Sequence, residues 1–224
     1  MRHVRICCGK ARFTAILGPN LGTALRFASV IQNVLMAILD AKKYNTLRSG
    51  RSFSFAQRAR RTFWRAVWLL LAAWTPPMLH GWRRIVLRCF GARLSKTCGI
   101  YGSARIWDPR NLEMGDYSFI GPRVNCYSMA KITLGDYALV SQGAHLCSGT
   151  HDIDDPYFQL KAEPIVIRDR AWIAADAFVG PGVTVGEGAV LGARGVAGSD
   201  LAPWTVYIGN PAKAIKKRKL RGAD

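Results

Sequence analysis

The chain has 224 residues, half of them hydrophobic and about a fifth charged, which suits a soluble globular protein with one main core. Its net charge of +18 is unevenly distributed: residues 1–95 carry 17 Lys and Arg against one acid, and residues 96–224 carry 15 against 13. A basic region can bind nucleic acid or an anionic membrane. No helix-turn-helix, zinc-finger or RNA-binding motif accompanies this one, so nucleic acid is not the expected partner.

Residues 1–45 form a leader whose status the sequence leaves open. Its apolar run is broken by Gly18, Pro19 and Gly22, and no small-residue cleavage site follows, so a secretory signal is not indicated. Met36 is an alternative first residue, and a disordered extension is a further interpretation. The six cysteines of the chain show no CxxC spacing, which is typical of reduced thiols in the cytosol. We therefore expect a cytoplasmic protein.

Residues 46–93 form a basic, Trp-rich segment of helical composition, split by Pro76-Pro77. Trp64 and Trp68 recur at helical spacing, but the fully apolar run from Ala66 to Trp74 is well short of the ~20 residues that span a bilayer. Two interpretations stay open. The helices pack their apolar faces on the rest of the protein, or a Trp/Arg surface lies on anionic lipid at the inner face of the membrane.

From residue 94 to 212 an aliphatic or small residue recurs every six positions. A period of six is neither helical nor a simple strand alternation, and it fits short strands joined by tight turns, with one inward side chain per strand. The pattern predicts a β-helix solenoid, which the loop at 147–164 interrupts. The inward positions run in four sets: Leu94, Ile100, Ile106, Leu112; Met114, Ile120, Cys126, Ile132; Leu134, Val140, Leu146; and Ile167, Ile173, Val179, Val185, Leu191, Ala197.

These hexads resemble the left-handed β-helix (hexapeptide-repeat) acyltransferases, as do GTHD at 149–152, PIVIRDRAWIA at 164–174 and YIGNPAKAIKK at 207–217. The similarity covers about residues 46–220 and points to the branch of colanic acid biosynthesis acetyltransferases, relatives of maltose and galactoside O-acetyltransferases. It implies an all-β fold, a left-handed parallel β-helix with an N-terminal helical segment and a short C-terminal helix. It also implies a homotrimer that moves an acetyl group from acetyl-CoA to a sugar hydroxyl, in exopolysaccharide or lipid-linked glycan synthesis.

The loop at 147–164 carries the candidate base. A sugar hydroxyl must lose its proton as it attacks a thioester, and a neutral imidazole is the natural group to take it. The resemblance places the catalytic base of the family at His151. His145, six residues earlier, is expected to be structural or to line the pocket. Asp152 has three open interpretations: it orients the imidazole, contacts the acceptor, or is simply solvated.

Other chemistries remain as alternatives. A Cys147 thiolate activated by His151 would give an acyl-enzyme, although the resemblance implies direct transfer. A three-histidine zinc site cannot be built from the repeats, which contain only His145 and His151, so no metal is expected. Acetyl transfer to a small amine or amino acid, and a non-catalytic β-helix scaffold, are the alternative functions.

The resemblance also implies the donor site. Trp172 matches the aromatic residue that follows the loop, Ala175 and Ala193 match small residues beside the pantetheine arm, and Lys213 and Lys216 match a basic pair near the phosphates. These lysines open a basic C-terminal tail at 213–224, for which a solvated helix is the alternative interpretation.

The chain departs from the pattern of the family at two places. Gly198-Ser199 replaces a pair that commonly contains lysine, so one basic contact to coenzyme A is missing. The acceptor-binding asparagine of the family aligns with Gly121, and Asn125 and Tyr127 are the substitutes that we expect to contact the acceptor.

Overall fold

The computed structural model describes the backbone of residues 3–8 and 11–16 and, with side chains, residues 38–44 and 51–220. The chain divides into two units, residues 1–36 and 37–224. In the first unit, β1 (His3–Cys8) and β2 (Ala11–Ile16) pair as an antiparallel hairpin, so part of the predicted leader is a small sheet. The alternative start at Met36 lies outside the described residues.

The second unit is a solenoid of three parallel sheets, here called the first, second and third faces, through which the chain passes in turn. The first face contains β3 (Arg93–Leu94), β6 (Leu112–Met114), β9 (Ile132–Leu134), β14 (Ile165–Ile167) and β17 (Thr184–Val185). The second face contains β4 (Gly99–Ile100), β7 (Phe119–Ile120), β10 (Leu139–Val140), β15 (Trp172–Ile173), β18 (Val190–Leu191), β20 (Thr205–Ile208) and β21 (Lys213–Lys217). The third face contains β5 (Arg105–Ile106), β8 (Asn125–Tyr127), β11 (His145–Cys147), β16 (Phe178–Val179) and β19 (Val196–Ala197).

The inward positions of the hexads form the core, which confirms the predicted β-helix. Sixteen of the seventeen predicted side chains are buried, including the small residue Ala197 and the thiol of Cys126, and Leu94 at the open end is half-buried. Most strands are only two or three residues long. A two-residue strand supplies one inward side chain or, in two cases, two buried positions, whereas β6, β9 and β14 each bury their first and third residues. The core is therefore a column of stacked aliphatic residues.

The corners between the first and second faces explain the Gly-Asp pairs of the sequence. Asp169 Oδ1 accepts the backbone N–H of Asp136 at 3.0 Å, and Asp136 Oδ1 accepts that of Asp116 at 2.7 Å, so each carboxylate ties one coil to the next. A Cβ at Gly135 would collide with Oδ1 of Asp169, which is why glycine stands beside the carboxylate column. The carboxylates hold the coils in register.

Several corners use left-handed backbone at residues that are not glycine. The φ angles of Tyr117, Tyr137 and Arg170 are 54°, 58° and 57°. The N–H groups of Tyr137 and Arg170 donate to carbonyls of the preceding coil at 2.8 Å. These hydrogen bonds between coils compensate for the conformational penalty of the left-handed region.

Helices cover the N-terminal end of the solenoid. They are α1 (Ala41–Tyr44), α2 (Phe55–Leu71) and α3 (His80–Cys89), and a 3₁₀ turn spans Pro109–Asn111. Trp64 and Trp68 are buried, and their indole N–H groups donate to the carbonyls of Ile106 at 2.8 Å and Gly102 at 3.2 Å. The inner face of α2 thus closes the end of the β-helix, as the first of the two interpretations predicted.

The turn between α2 and α3 is held by a fully buried arginine. Arg83 donates from Nε to the Ile100 carbonyl at 2.6 Å and from Nη1 to the Thr75 hydroxyl at 2.7 Å and the Pro76 carbonyl at 3.0 Å. Neutral oxygens therefore satisfy this cation, and they fix the Pro-Pro turn against the first coil.

The predicted C-terminal helix is wrong. Residues Lys213–Lys217 are strand β21, which pairs antiparallel with β20 and extends the second face. Lys217 Nζ donates to the Thr205 hydroxyl, and Arg218 donates to the carbonyls of Arg170 and Gly188. The unpaired edge of β20 offers these residues backbone hydrogen bonds that a helix on the surface would not gain, so tertiary pairing overrides their helical composition.

Candidate active site

The interruption of the repeat is an antiparallel hairpin. Strands β12 (Gly149–His151) and β13 (Leu160–Ala162) pair with His151 opposite Leu160, and they project from the corner between the third and first faces. Ser148 anchors the base of the hairpin, because its buried hydroxyl accepts the Ala130 N–H and donates to the Tyr127 carbonyl, both at 2.8 Å. The hairpin is therefore anchored to the coils of the solenoid at its base.

Gln159 connects the hairpin to the segment that precedes α2. Its Oε1 accepts the Ala41 N–H at 2.7 Å, and its Nε2 donates to the Leu39 carbonyl at 3.4 Å. The hairpin is thus supported on one side by the coil and on the other by residues 39–41.

His151 lies at the end of β12 and is exposed. Its Nδ1 is 2.8 Å from the carbonyl oxygen of Phe158, and its ring stacks on the Phe158 ring at 4.5 Å with an interplanar angle of 15°. A carbonyl oxygen only accepts, so Nδ1 carries the proton in this contact and Nε2 keeps its lone pair. The exposed Nε2 is therefore the nitrogen that can take a proton from a bound hydroxyl.

Asp152 does not contact the imidazole in this arrangement. Its Oδ2 forms an ion pair with Lys161 Nζ at 2.6 Å, and its Oδ1 accepts the Asp154 N–H at 3.2 Å. The hydrogen bond from Lys161 lowers the pKa of the Asp152 carboxyl. Asp152 is therefore held as a carboxylate on the hairpin next to His151, by Lys161 and by the turn that follows it.

Cys147 is a half-buried thiol at the start of the loop. Its Sγ donates to the Gly149 carbonyl at 3.3 Å, and burial raises its pKa above the ordinary value. A nucleophilic cysteine needs surroundings that favour the thiolate, and these favour the protonated form. The geometry therefore disfavours the acyl-enzyme alternative.

His145, Asn125 and Tyr127 lie beside the loop on the third face. His145 Nε2 is 3.1 Å from Asn125 Nδ2, and the imidazole meets the Phe178 ring edge-on at 5.4 Å. An amide nitrogen donates, so Nε2 of His145 is the acceptor, and burial lowers the pKa of this imidazole. His145 is thus an engaged, neutral side chain rather than a free base.

Tyr127 is directed outward from the same strand as Asn125, with the buried Cys126 between them. The Tyr127 ring packs on Trp107 at 4.5 Å, and burial, followed by the neighbouring Cys147, raises the pKa of its phenol. The structure therefore brings both expected acceptor contacts to one surface next to the hairpin.

The residues expected to bind the donor lie on other parts of the solenoid, away from the hairpin. Trp172 is on the second face, 42% exposed, with its indole N–H donating to Ser141 Oγ at 2.9 Å. Ala175 and Ala193 occupy consecutive turns of the corner between the second and third faces, and the Arg194 N–H donates to the Ala175 carbonyl at 2.9 Å. The hairpin with His151 projects from a different corner, the one between the third and first faces.

Lys213 and Lys216 are both exposed on β21, at the end of the second face. The neighbouring Lys217 and Arg218 form hydrogen bonds within the protein, to Thr205 and Arg170. Lys213 and Lys216 are therefore the cations of β21 that extend towards solvent. Together with Trp172 they line the same side of the solenoid as the small corner residues.

Among the described residues, no group of three or more His, Cys, Asp and Glu side chains is arranged to hold a metal ion. Within the same part of the chain, each helix falls short of the length or hydropathy that crossing a bilayer requires.

Sequence reasoning missed three residues that shape the site: Phe158, Lys161 and Gln159. Phe158 contacts His151 with its ring and with its main-chain carbonyl, and the carbonyl contact leaves no signal in the residue type. Lys161 meets Asp152 because the hairpin pairs antiparallel, and the hexad pattern does not predict that register. Gln159 makes contacts with residues about 120 positions away.

The three-faced solenoid of parallel strands matches the left-handed β-helix fold of hexapeptide-repeat acetyltransferases. A maltose O-acetyltransferase from Clostridium difficile 630 shares the fold, with a TM-score of 0.66 and 24% identity over 75% of this chain and 90% of that chain. A hexapeptide-repeat acetyltransferase from Vibrio cholerae O1 biovar eltor, whose structure contains acetyl coenzyme A, has a TM-score of 0.63 and 25% identity over 75% and 91% of the two chains.

No family model matches the chain. The chain nevertheless has a named relative. It is 43% identical over 155 residues to the colanic acid biosynthesis acetyltransferase WcaF of Escherichia coli (strain K12). That alignment covers 69% of this chain and 85% of the relative. The chain therefore belongs to the family of these acetyltransferases, and it is an acetyltransferase, as the sequence predicted.

Proposed function

We propose that the protein transfers an acetyl group from acetyl coenzyme A to a hydroxyl of a sugar acceptor, with His151 as the general base. The observation that carries this proposal is the 2.8 Å contact between His151 Nδ1 and the Phe158 carbonyl, which places the proton of the neutral imidazole on Nδ1 and the lone pair on Nε2. The name of the Escherichia coli relative supports acetyl transfer, and its role in colanic acid biosynthesis supports an acceptor in exopolysaccharide or lipid-linked glycan assembly.

The chemical step is a direct transfer. The acceptor hydroxyl gives its proton to Nε2 of His151 while its oxygen attacks the thioester carbonyl carbon. The tetrahedral intermediate then collapses, the carbon–sulfur bond breaks, and the imidazolium returns the proton to the departing thiolate of coenzyme A. Throughout, the Phe158 carbonyl holds Nδ1–H and stabilises the positive charge that develops on the ring.

Acetyl coenzyme A as donor is supported by the Vibrio cholerae neighbour, which was determined with that molecule. The exposed Trp172 ring, the small Ala193 and the free cations Lys213 and Lys216 suit an arm that runs along the coils and ends in phosphates. Asn125 and Tyr127, half-buried beside the hairpin, and Asp152, on the hairpin itself, are the proposed acceptor contacts.

The separation of the base from the donor residues supports a homotrimer. His151 projects from the corner between the third and first faces, and Ala175 and Ala193 lie at the corner between the second and third. A donor lying along one corner of a subunit meets the histidine of a neighbouring subunit when three prisms pack side by side. We place this trimer in the cytoplasm, in peripheral contact with an anionic membrane that holds the glycan acceptor.

The test is thiol release from acetyl coenzyme A in the presence of candidate sugar acceptors. His151→Ala should lower kcat by about 10²–10⁴-fold, because it removes the proton acceptor while the donor surface stays intact. His145→Gln is the matched control, since that imidazole is engaged with Asn125, and it should keep kcat within about ten-fold of wild type.

Other outcomes would identify a different function. Full acceptor-dependent turnover by His151→Ala contradicts the role of the base. Turnover with amines but not with sugars indicates N-acetylation, and the absence of any turnover by the wild-type protein indicates a scaffold.

A further inference from the structure

The outer side of the helical segment exposes large apolar side chains over both helices and the turn between them. On α2 they recur on the side of the helix opposite the buried Trp64 and Trp68. An exposed group of this size marks an interaction surface. We name it the apolar tip; its members are Phe55 (75% exposed), Phe63 (62%), Leu69 (66%), Leu70 (68%), Trp74 (74%), Met78 (78%), Trp82 (42%) and Ile85 (53%).

Two carbonyls at the centre of the apolar tip are already paired. A helix ends with carbonyls that lack partners within the helix and normally bond to water. Here the Trp74 indole N–H donates to the Leu70 carbonyl at 2.7 Å, and the Trp82 indole N–H donates to the Leu71 carbonyl at 2.6 Å. These internal hydrogen bonds lower the cost of moving the two carbonyls out of water and into the membrane interface.

The same surface is basic and has no acid. Residues 41–107 contain no Asp or Glu at all. Arg58 and Arg65 are exposed on α2, and Arg61 lies between them in sequence, stacked on Trp107 at 3.4 Å. A two-fold contact between copies would set arginine against arginine, whereas a layer of lipid phosphates provides the opposite charge.

We infer that the apolar tip binds an anionic lipid bilayer, with the end of α2 and the following turn inserted to interfacial depth. Trp, Leu and Met side chains enter the acyl boundary, and Arg58 and Arg65 contact the headgroup phosphates. This inference rests on the proposed function in one respect: membrane binding would hold the enzyme where a lipid-linked glycan is presented.

Flotation of the full-length protein with vesicles of phosphatidylcholine, with or without phosphatidylglycerol, tests the inference. The wild-type protein should bind the vesicles that contain phosphatidylglycerol, and Leu70→Glu with Met78→Glu should weaken this binding by at least about 10-fold per substitution. Arg58→Gln with Arg65→Gln should weaken it by about 5-fold per arginine, and less at high salt.

Tyr117→Glu with Tyr137→Glu is the matched control, because these tyrosines are 53% and 55% exposed on a corner of the solenoid and do not belong to the apolar tip. The control should bind vesicles as the wild type does. Each replaced side chain is mostly exposed, so an unchanged melting temperature verifies the fold.

Three results overturn the inference: wild-type binding by the Leu70/Met78 variant, equal binding of the wild type to both vesicle types, or a change of oligomeric mass in that variant. The last result would make the apolar tip an interface between copies. The proposed function is tested separately. His151→Ala should bind vesicles normally, and the Leu70/Met78 variant should acetylate a water-soluble acceptor at the wild-type rate.

Discussion

Replacing Trp64 by Ala tests whether the helical segment is part of the core of the enzyme or a detachable anchor. The Trp64 side chain is 2% exposed, its ring lies 5.2 Å from that of Trp68 and 4.9 Å from that of Phe90, and its N–H satisfies the Ile106 carbonyl. Truncation leaves a cavity and an unpaired buried carbonyl. Phe or Trp to Ala changes in cores cost about 3–5 kcal/mol of the free energy of unfolding.

For a domain of 150–250 residues, each kcal/mol shifts Tm by about 2–4 °C, so Trp64→Ala should melt about 6–20 °C below wild type. Calorimetry without lipid measures the shift. Leu69→Ala on the same helix is the control, because Leu69 is 66% exposed and its loss should change stability by no more than about 0.5 kcal/mol. Equal Tm values for Trp64→Ala and wild type would refute the claim that α2 closes the solenoid.

Three further changes test the corners, the buried imidazole and the donor site. Gly135→Ala should lose about 1–3 kcal/mol in a denaturation experiment, because its Cβ meets the corner carboxylate of the next coil; Gly198→Ala, where a Cβ meets nothing within 4 Å, should be neutral. Burial lowers the pKa of His145, so its contribution to stability is present above the unfolded pKa of about 6.5 and is lost as the pH falls through the folded value. His145→Gln should therefore flatten Tm against pH in that acid range, and an unchanged slope would count against the assignment. Lys213→Gln with Lys216→Gln should raise KM for acetyl coenzyme A about 5–10-fold at constant kcat, whereas acetyl-pantetheine, which lacks the nucleotide phosphates, should be used equally by both proteins.

The solenoid was predictable because one physical constraint repeats. Every strand of a three-sided coil needs at least one inward side chain, so the constraint appears in the sequence every six residues, and even Cys126 and Ala197 obey it. Burial follows directly from that period. The left-handed corners at Tyr137 and Arg170 were not predictable, since hydrogen bonds between coils, rather than residue type, support them.

The candidate site was predictable only in part, because its polar contacts are made by groups without a sequence pattern. The resemblance to a family led to His151, but the atom that fixes its tautomer is a main-chain oxygen at Phe158. The ion pair between Asp152 and Lys161 likewise depends on the register of the hairpin, which the sequence pattern does not reveal. At the C-terminus, the resemblance implied a helix, whereas the open edge of β20 selected a strand.

The arrangement of base and donor residues makes a prediction about assembly that single variants cannot test. In a trimer with shared sites, His151→Ala subunits keep an intact donor surface, and Ala193→Trp subunits, whose exposed corner is blocked, keep an intact base. Random mixing in equal amounts forms an intact site wherever the two types meet in the right order, so about a quarter of wild-type activity should return. Each variant alone should stay inactive. If each site instead lay within one chain, the mixture of the two variants should also stay inactive. Activity that fails to return after verified subunit exchange would therefore place base and donor on the same subunit and remove the reason for proposing a shared site.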